Sequence, residues 1–110
     1  MDPVKETALK KERGTAKGRF TRKVNLFMDR HAKGDPFDVL ESIHSEVVSA
    51  FRHLEEKCEN LITFYEDNDH MEETDGARKY LFDCDSDRCE VLRLLSIAKS
   101  GKAIANGGSC

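Results

Sequence analysis

The chain has 110 residues, a net charge of -3 with histidine neutral, 38% hydrophobic and 35% charged residues, and no tryptophan. That length allows one domain, and that composition suits a thin helical core with wet outer faces rather than a thick globular one. No run of about eighteen apolar residues is present to cross a bilayer, and Asp2, Glu6 and Glu12 in a terminus without an apolar signal core argue against a targeting peptide, so the expectation is an intracellular, cytoplasmic protein without a membrane partner, the nucleus left open.

Charge is segregated along the chain. Residues 1–34 hold ten Lys/Arg against four Asp/Glu, a balance of +6, whereas residues 35–90 hold seventeen Asp/Glu against five Lys/Arg, a balance of -12. Two consequences are open: the acidic part lies along the basic part and neutralises it, or the basic part seeks an external polyanion.

The first predicted helix covers about residues 7–33. Leu9, Ala16, Phe20, Val24, Phe27 and His31 recur near helical spacing, with Arg13 at the missing step. Gly14 and Gly18 interrupt it four residues apart, each costing about 1 kcal/mol relative to alanine in a helix interior. Two readings of the pair stand: close approach of another backbone, or a frayed first helix.

The break Lys33-Gly34-Asp35-Pro36 ends this helix and starts the next. Gly34 suits the position just past a helix end, and Asp35-Pro36 suggests a capping carboxylate followed by proline at the first helical position. The second helix is expected over about 36–66. Its stripe is Leu40, Ile43, Val47, Ala50, Leu54, Cys58, Leu61 and Tyr65, in steps of three and four. Val39, Phe51 and Ile62 widen it beyond a two-stranded seam, which favours packing against more than one helix. Cys58 on that stripe is expected to be a small buried residue with a reduced thiol.

Residues 67–76 are acidic and polar and contain Gly76, so they predict a loop or weakened junction. A third helix over about 77–99 follows from Ala77, Tyr80, Leu81, Cys84, Arg88, Val91, Leu92, Leu95 and Ala98. Its Asp83-Cys84-Asp85-Ser86-Asp87 segment is poor in helix formers and predicts local fraying. Residues 100–110, with Gly101, Gly107 and Gly108, predict a disordered tail.

Little in the chain suggests chemistry. Asp83-x-Asp85-x-Asp87 begins like a calcium loop, but Arg88 stands where glycine is needed and Leu94 where glutamate is needed. Cys84 and Cys89 lack a second ligand pair at zinc-site spacing, and His31, His44, His53 and His70 are scattered. No nucleophile elbow, phosphate loop or dinucleotide fingerprint appears, and Glu55-Glu56 and Glu72-Glu73 are expected to be solvated helix charges. The expectation is a protein that is not an enzyme, with no catalytic residues, cofactor, metal or small-molecule substrate.

One segment offers a ligand surface. Lys10, Lys11, Arg13, Lys17, Arg19, Arg22 and Lys23 surround a single aromatic residue, Phe20. Such a set would neutralise phosphates without reading bases, with affinity that falls steeply as salt rises. The same stretch, Leu9 to Arg22 with its Arg-Gly-x-x-Lys-Gly-x-Phe-Thr-Arg core, resembles the N-terminal helical region of Gag-like polyproteins of BEL/Pao-type retrotransposons. The resemblance covers about residues 7–98. It implies a non-enzymatic, helical, assembly-related segment of a retroelement or of a host gene derived from one, with Arg13, Gly14, Lys17, Gly18, Thr21 and Arg22 as signature positions. The protease, zinc-knuckle, polymerase and integrase regions of a whole element do not follow, which suggests a fragment, truncated copy or isolated domain.

Together these expectations describe an all-α, elongated, coiled-coil-like bundle: an antiparallel hairpin with a third helix packed on it, either within the chain or from a second one. The expected function is protein–protein association, with self as the first partner and a homo-oligomer as the product, and Leu40, Ile43, Val47, Leu54 and Leu61 as the packing stripe. The alternatives are RNA or DNA binding through the basic first helix, and an adaptor that docks into another protein's groove.

Overall fold

The computed structural model of the protein describes residues 2–103, with side chains described through Ser100. Three helices follow one another: α1 (Pro3–Ala32), α2 (Phe37–Asp67) and α3 (Met71–Ala103). They form an elongated all-α bundle 62 × 20 × 16 Å in extent, without a strand among the described residues. The length follows from the helices, since 30 residues at 1.5 Å each reach about 45 Å.

α1 begins earlier than the predicted residue 7. The carboxylate of Asp2 accepts hydrogen bonds from Val4 N (3.0 Å) and Lys5 N (3.3 Å), and Pro3 takes the first turn, where its missing N–H leaves no partner wanting. That cap fixes the start, and the helix then runs unbroken through Gly14 and Gly18. A Cβ added at either glycine would meet nothing within 4 Å, so neither serves a close approach inside the bundle. Gly34 carries the positive φ, +76°, that ends α1 as the sequence anticipated.

Pro36 occupies the cap of α2 rather than its first helical position, and the helix proper starts at Phe37. Val39 N and Leu40 N both donate to Pro36 O at 3.1 Å.

The loop or weakened junction expected over 67–76 is a three-residue turn, Asn68-Asp69-His70, with the rest of the stretch helical. Asp69 holds φ +57° there, a left-handed position that aspartate tolerates better than most residues. Asn68 Nδ2 donates to Phe64 O (2.7 Å) and His70 N to Tyr65 O (2.9 Å), which closes the end of α2. Glu72 and Glu73 fall in the first turn of α3, where carboxylates favour the positive end of the helix. The acidic stretch is therefore a helix start, anchored by buried Thr74, whose hydroxyl donates to His70 O (2.9 Å). α3 continues through Asp83–Asp87 without a break, with Arg88 Nε on Asp85 Oδ1 at 2.8 Å supporting consecutive turns. It also passes the predicted end at 99; of the expected tail, 100–103 are helical and 104–110 lie outside the described residues.

The core runs the length of the rod. Phe20, Val24 and Phe27 of α1, the α2 stripe from Leu40 to Cys58, and Cys84, Val91 and Leu95 of α3 form the larger cluster. Leu61, Phe64, Tyr65 and Ala77, with partly buried Leu9 and Ile62, form a smaller one near the α2–α3 turn. Each fully buried large side chain, such as Leu54 or Leu61, contributes roughly 1.5–3 kcal/mol by leaving water. α2 is the central element. It packs extensively on both neighbours, whereas α1 and α3 touch little, and the third helix closes the bundle within the chain.

Candidate interaction surfaces

The five stripe residues nominated for association are core. Leu40, Ile43, Val47, Leu54 and Leu61 are 0–7% exposed, covered by α1 on one side and α3 on the other. In the closed bundle none of them presents an interaction surface, so an association surface has to lie elsewhere.

The seven nominated basic residues do not share a face. At 3.6 residues per turn their directions cover the circumference of α1, and their partners differ. Lys10 lies 3.6 Å from Glu6, and Lys23 lies 2.9 Å from Glu46 on α2. The Arg13 guanidinium stacks over the Tyr80 ring at 4.1 Å, with Lys17 Nζ 5.4 Å from the same ring, so both join α1 to α3. Lys11, Arg19 and Arg22 are exposed and have no carboxylate within ion-pair distance among the described residues. The opposed charge of the first and second segments thus meets directly in Lys23–Glu46.

Two surfaces remain that the sequence did not single out. The first is the outer face of α3, where Phe82 is 69% exposed, Met71 62%, Ile97 52% and Leu92 43%. Phe82 edges a shallow hollow of about 310 Å³ that it shares with Phe51, Leu81, Glu55, Arg78 and Asp85. Its signal was legible: Phe82 and Met71 fall off the Ala77, Cys84, Val91, Leu95 row that α3 buries. The second is an open groove between α1 and α2, described further below.

Packing shifts several titratable groups. Tyr65 Oη donates to Glu6 Oε2 at 2.6 Å, tying the start of α1 to the end of α2. That hydrogen bond holds the Glu6 carboxyl below its ordinary value. Burial, and then the same bond, pushes the Tyr65 hydroxyl up to about 12. Burial raises the Cys58 thiol to about 11 and raises Cys84 also, while it lowers His44. Cys58 and Cys84 are therefore inert buried thiols; Cys89 is exposed. Among the described residues no three His, Cys, Asp or Glu side chains are grouped as a metal would need, and no helix is long and apolar enough to cross a membrane.

Comparison with protein-family models, with curated proteins and with solved structures gives no match. The chemistry of these two surfaces therefore carries the functional reading.

Proposed function

We propose that this chain is a non-enzymatic helical module that associates with protein, a second copy of itself first, through the outer face of α3. The supporting observation is the exposure of Phe82, Met71, Leu92 and Ile97 on one helix, where α1 and α2 expose one large apolar side chain each, Val4 and Val39, among the described residues. Among them Phe82 adjoins Phe51 and Leu81 around one hollow, and a contiguous apolar patch marks an interaction site more often than scattered single residues do. Both signs of charge flank them: Arg78 and Arg93 beside Glu55, Asp85 and Glu90. A surface carrying both signs is able to complement itself across a two-fold axis. The Gag-like resemblance of the sequence agrees with an assembly role. The three cysteines among the described residues are unlinked, two of them buried, which suits a reducing intracellular compartment.

The test is the solution mass by light scattering across a concentration range, under reducing conditions and at low and high salt. A dimer or larger species that survives high salt, and that Phe82→Glu converts to monomer with its helical signal intact, supports the reading. A strict monomer at every concentration, or an oligomer indifferent to Phe82→Glu, removes it.

A further inference from the structure

The α1–α2 groove, on the side formed without α3, is lined by two rows of side chains. On α1 the row is Lys11, Thr15, Arg19 and Lys23; on α2 it is Ser45, Ser49, His53 and Lys57. Each row repeats every four residues, so successive members of a row lie about 6 Å apart along their helix and each row is about 18 Å long. Because the helices are consecutive and antiparallel, the rows run in opposite directions and face each other. They line two open hollows of about 580 and 240 Å³ that share His53 and so join end to end.

Donors dominate this lining. Four cations and three hydroxyls stand against two carboxylates, Glu12 and Glu46. Glu46 is already engaged by Lys23 at 2.9 Å, which cancels that pair and leaves Lys11, Arg19 and Lys57 against the single carboxylate of Glu12, so the lining stays positive. A positive strip on a chain of net charge -3 is a local departure from the molecule's overall sign. Hydroxyl and imidazole groups interleaved with cations suit oxyanions repeated along a chain. Neither hollow is lined by Phe, Tyr or Trp, and the single imidazole of His53 is no platform for successive bases.

We infer that this groove binds a single strand of nucleic acid by its phosphodiester backbone, without base preference. The site differs from the basic first helix as a whole. Half of it comes from α2, and Lys10, Arg13, Lys17 and Arg22 are outside it. It stands independently of association through α3, since the two surfaces share no residue.

The experiment is fluorescence anisotropy of a short labelled oligouridine with the intact chain, titrated between about 50 and about 200 mM salt. Contact of Lys11, Arg19 and Lys57 with one phosphate each predicts a slope of log K against log salt of about -2, hence roughly 16-fold weaker binding at the upper salt. Arg19→Ala with Lys57→Ala should weaken binding at least tenfold and reduce that slope to about -0.7. Lys10→Ala with Arg22→Ala, which removes two cations off the groove, should change it less than twofold. Ser49→Ala with His53→Ala should lower affinity and leave the slope as it was. All four substitutions within the groove fall on its wall rather than in the core, and an unchanged helical signal verifies each variant. The inference is overturned by no binding at the lower salt, by equal losses on and off the groove, or by a polyglutamate peptide that binds as tightly as the oligonucleotide.

Discussion

α2 and α3 are nearly equal in length and differ in how they use their apolar residues. α2 turns Leu40, Ile43, Val47, Leu54 and Leu61 inward, and its buried face is continuous from end to end. α3 buries small residues, Ala77 and Cys84, before Val91 and Leu95, and leaves Phe82, Met71, Leu92 and Ile97 in water. The contrast shows that a helix can be essential to a core and still leave large side chains in water. α2 turns its apolar residues inward almost throughout; α3 divides its own, packing Tyr80, Leu81, Val91, Leu94 and Leu95 on the core and leaving Phe82, Met71, Leu92 and Ile97 outside.

The widest test of this difference pairs one substitution from each helix. Leu54→Ala should destabilise the chain by about 2–5 kcal/mol in urea or thermal unfolding, because a fully buried leucine leaves a cavity behind. Phe82→Ala should shift stability by no more than about 0.5 kcal/mol in the same measurement, as an exposed site does. A large loss at Phe82 would place it in the core after all and erase the contrast between the helices.

Next in size is a gain on α1. Gly14→Ala and Gly18→Ala should each stabilise by about 1 kcal/mol, since an added Cβ meets nothing and the unfolded chain loses freedom. Asp2→Ala, which removes the carboxylate that caps α1, should cost about 1 kcal/mol and fray the first turn, visible as faster amide exchange near Lys5.

The narrowest effect, confined to the extremes of pH, is the dependence on pH at the Glu6–Tyr65 bond. Folding lowers the Glu6 pKa, so its contribution is present above the unfolded value and is lost as pH falls through the folded one. Folding raises Tyr65 from 10.0 to about 12, so its contribution is present below pH 10 and is lost as pH rises from about 10 to about 12. Tyr65→Phe should flatten both ends of the stability profile while leaving its middle nearly level. A profile unchanged at both ends would show that the bond does not persist in solution.

The helix that was most regular in sequence was also the most legible. Steps of three and four from Leu40 to Tyr65 are all buried, because such spacing admits one helical face and hydrophobic burial selects it. Gly34 marked the end of α1 for a backbone reason that no neighbour can alter. Boundaries that depend on a cap and on charge were less legible. Asp2-Pro3 outweighed the weak periodicity of the first residues, and Glu72-Glu73 looked like loop composition until the helix axis gave their charge a favourable place. The basic residues of α1 formed a cluster in sequence and not in space, since neighbours along a helix point in different directions. The groove was hidden for the converse reason: Ser45, Ser49, His53 and Lys57 are unremarkable until α1 lies beside them.

A rod 62 Å long and no more than 20 Å across has no single centre. Its packed side chains fall into two clusters, and the one around Leu61, Phe64, Tyr65 and Ala77 is separate from the one that contains Phe20 and Val91. A fault at one end therefore has few routes by which to reach the other. The end nearest the α2–α3 turn should be able to loosen, exchange its amides and close again while the far end stays shut. The molecule's tolerance to change is in this sense a matter of address: what a substitution does depends on where along the axis it falls.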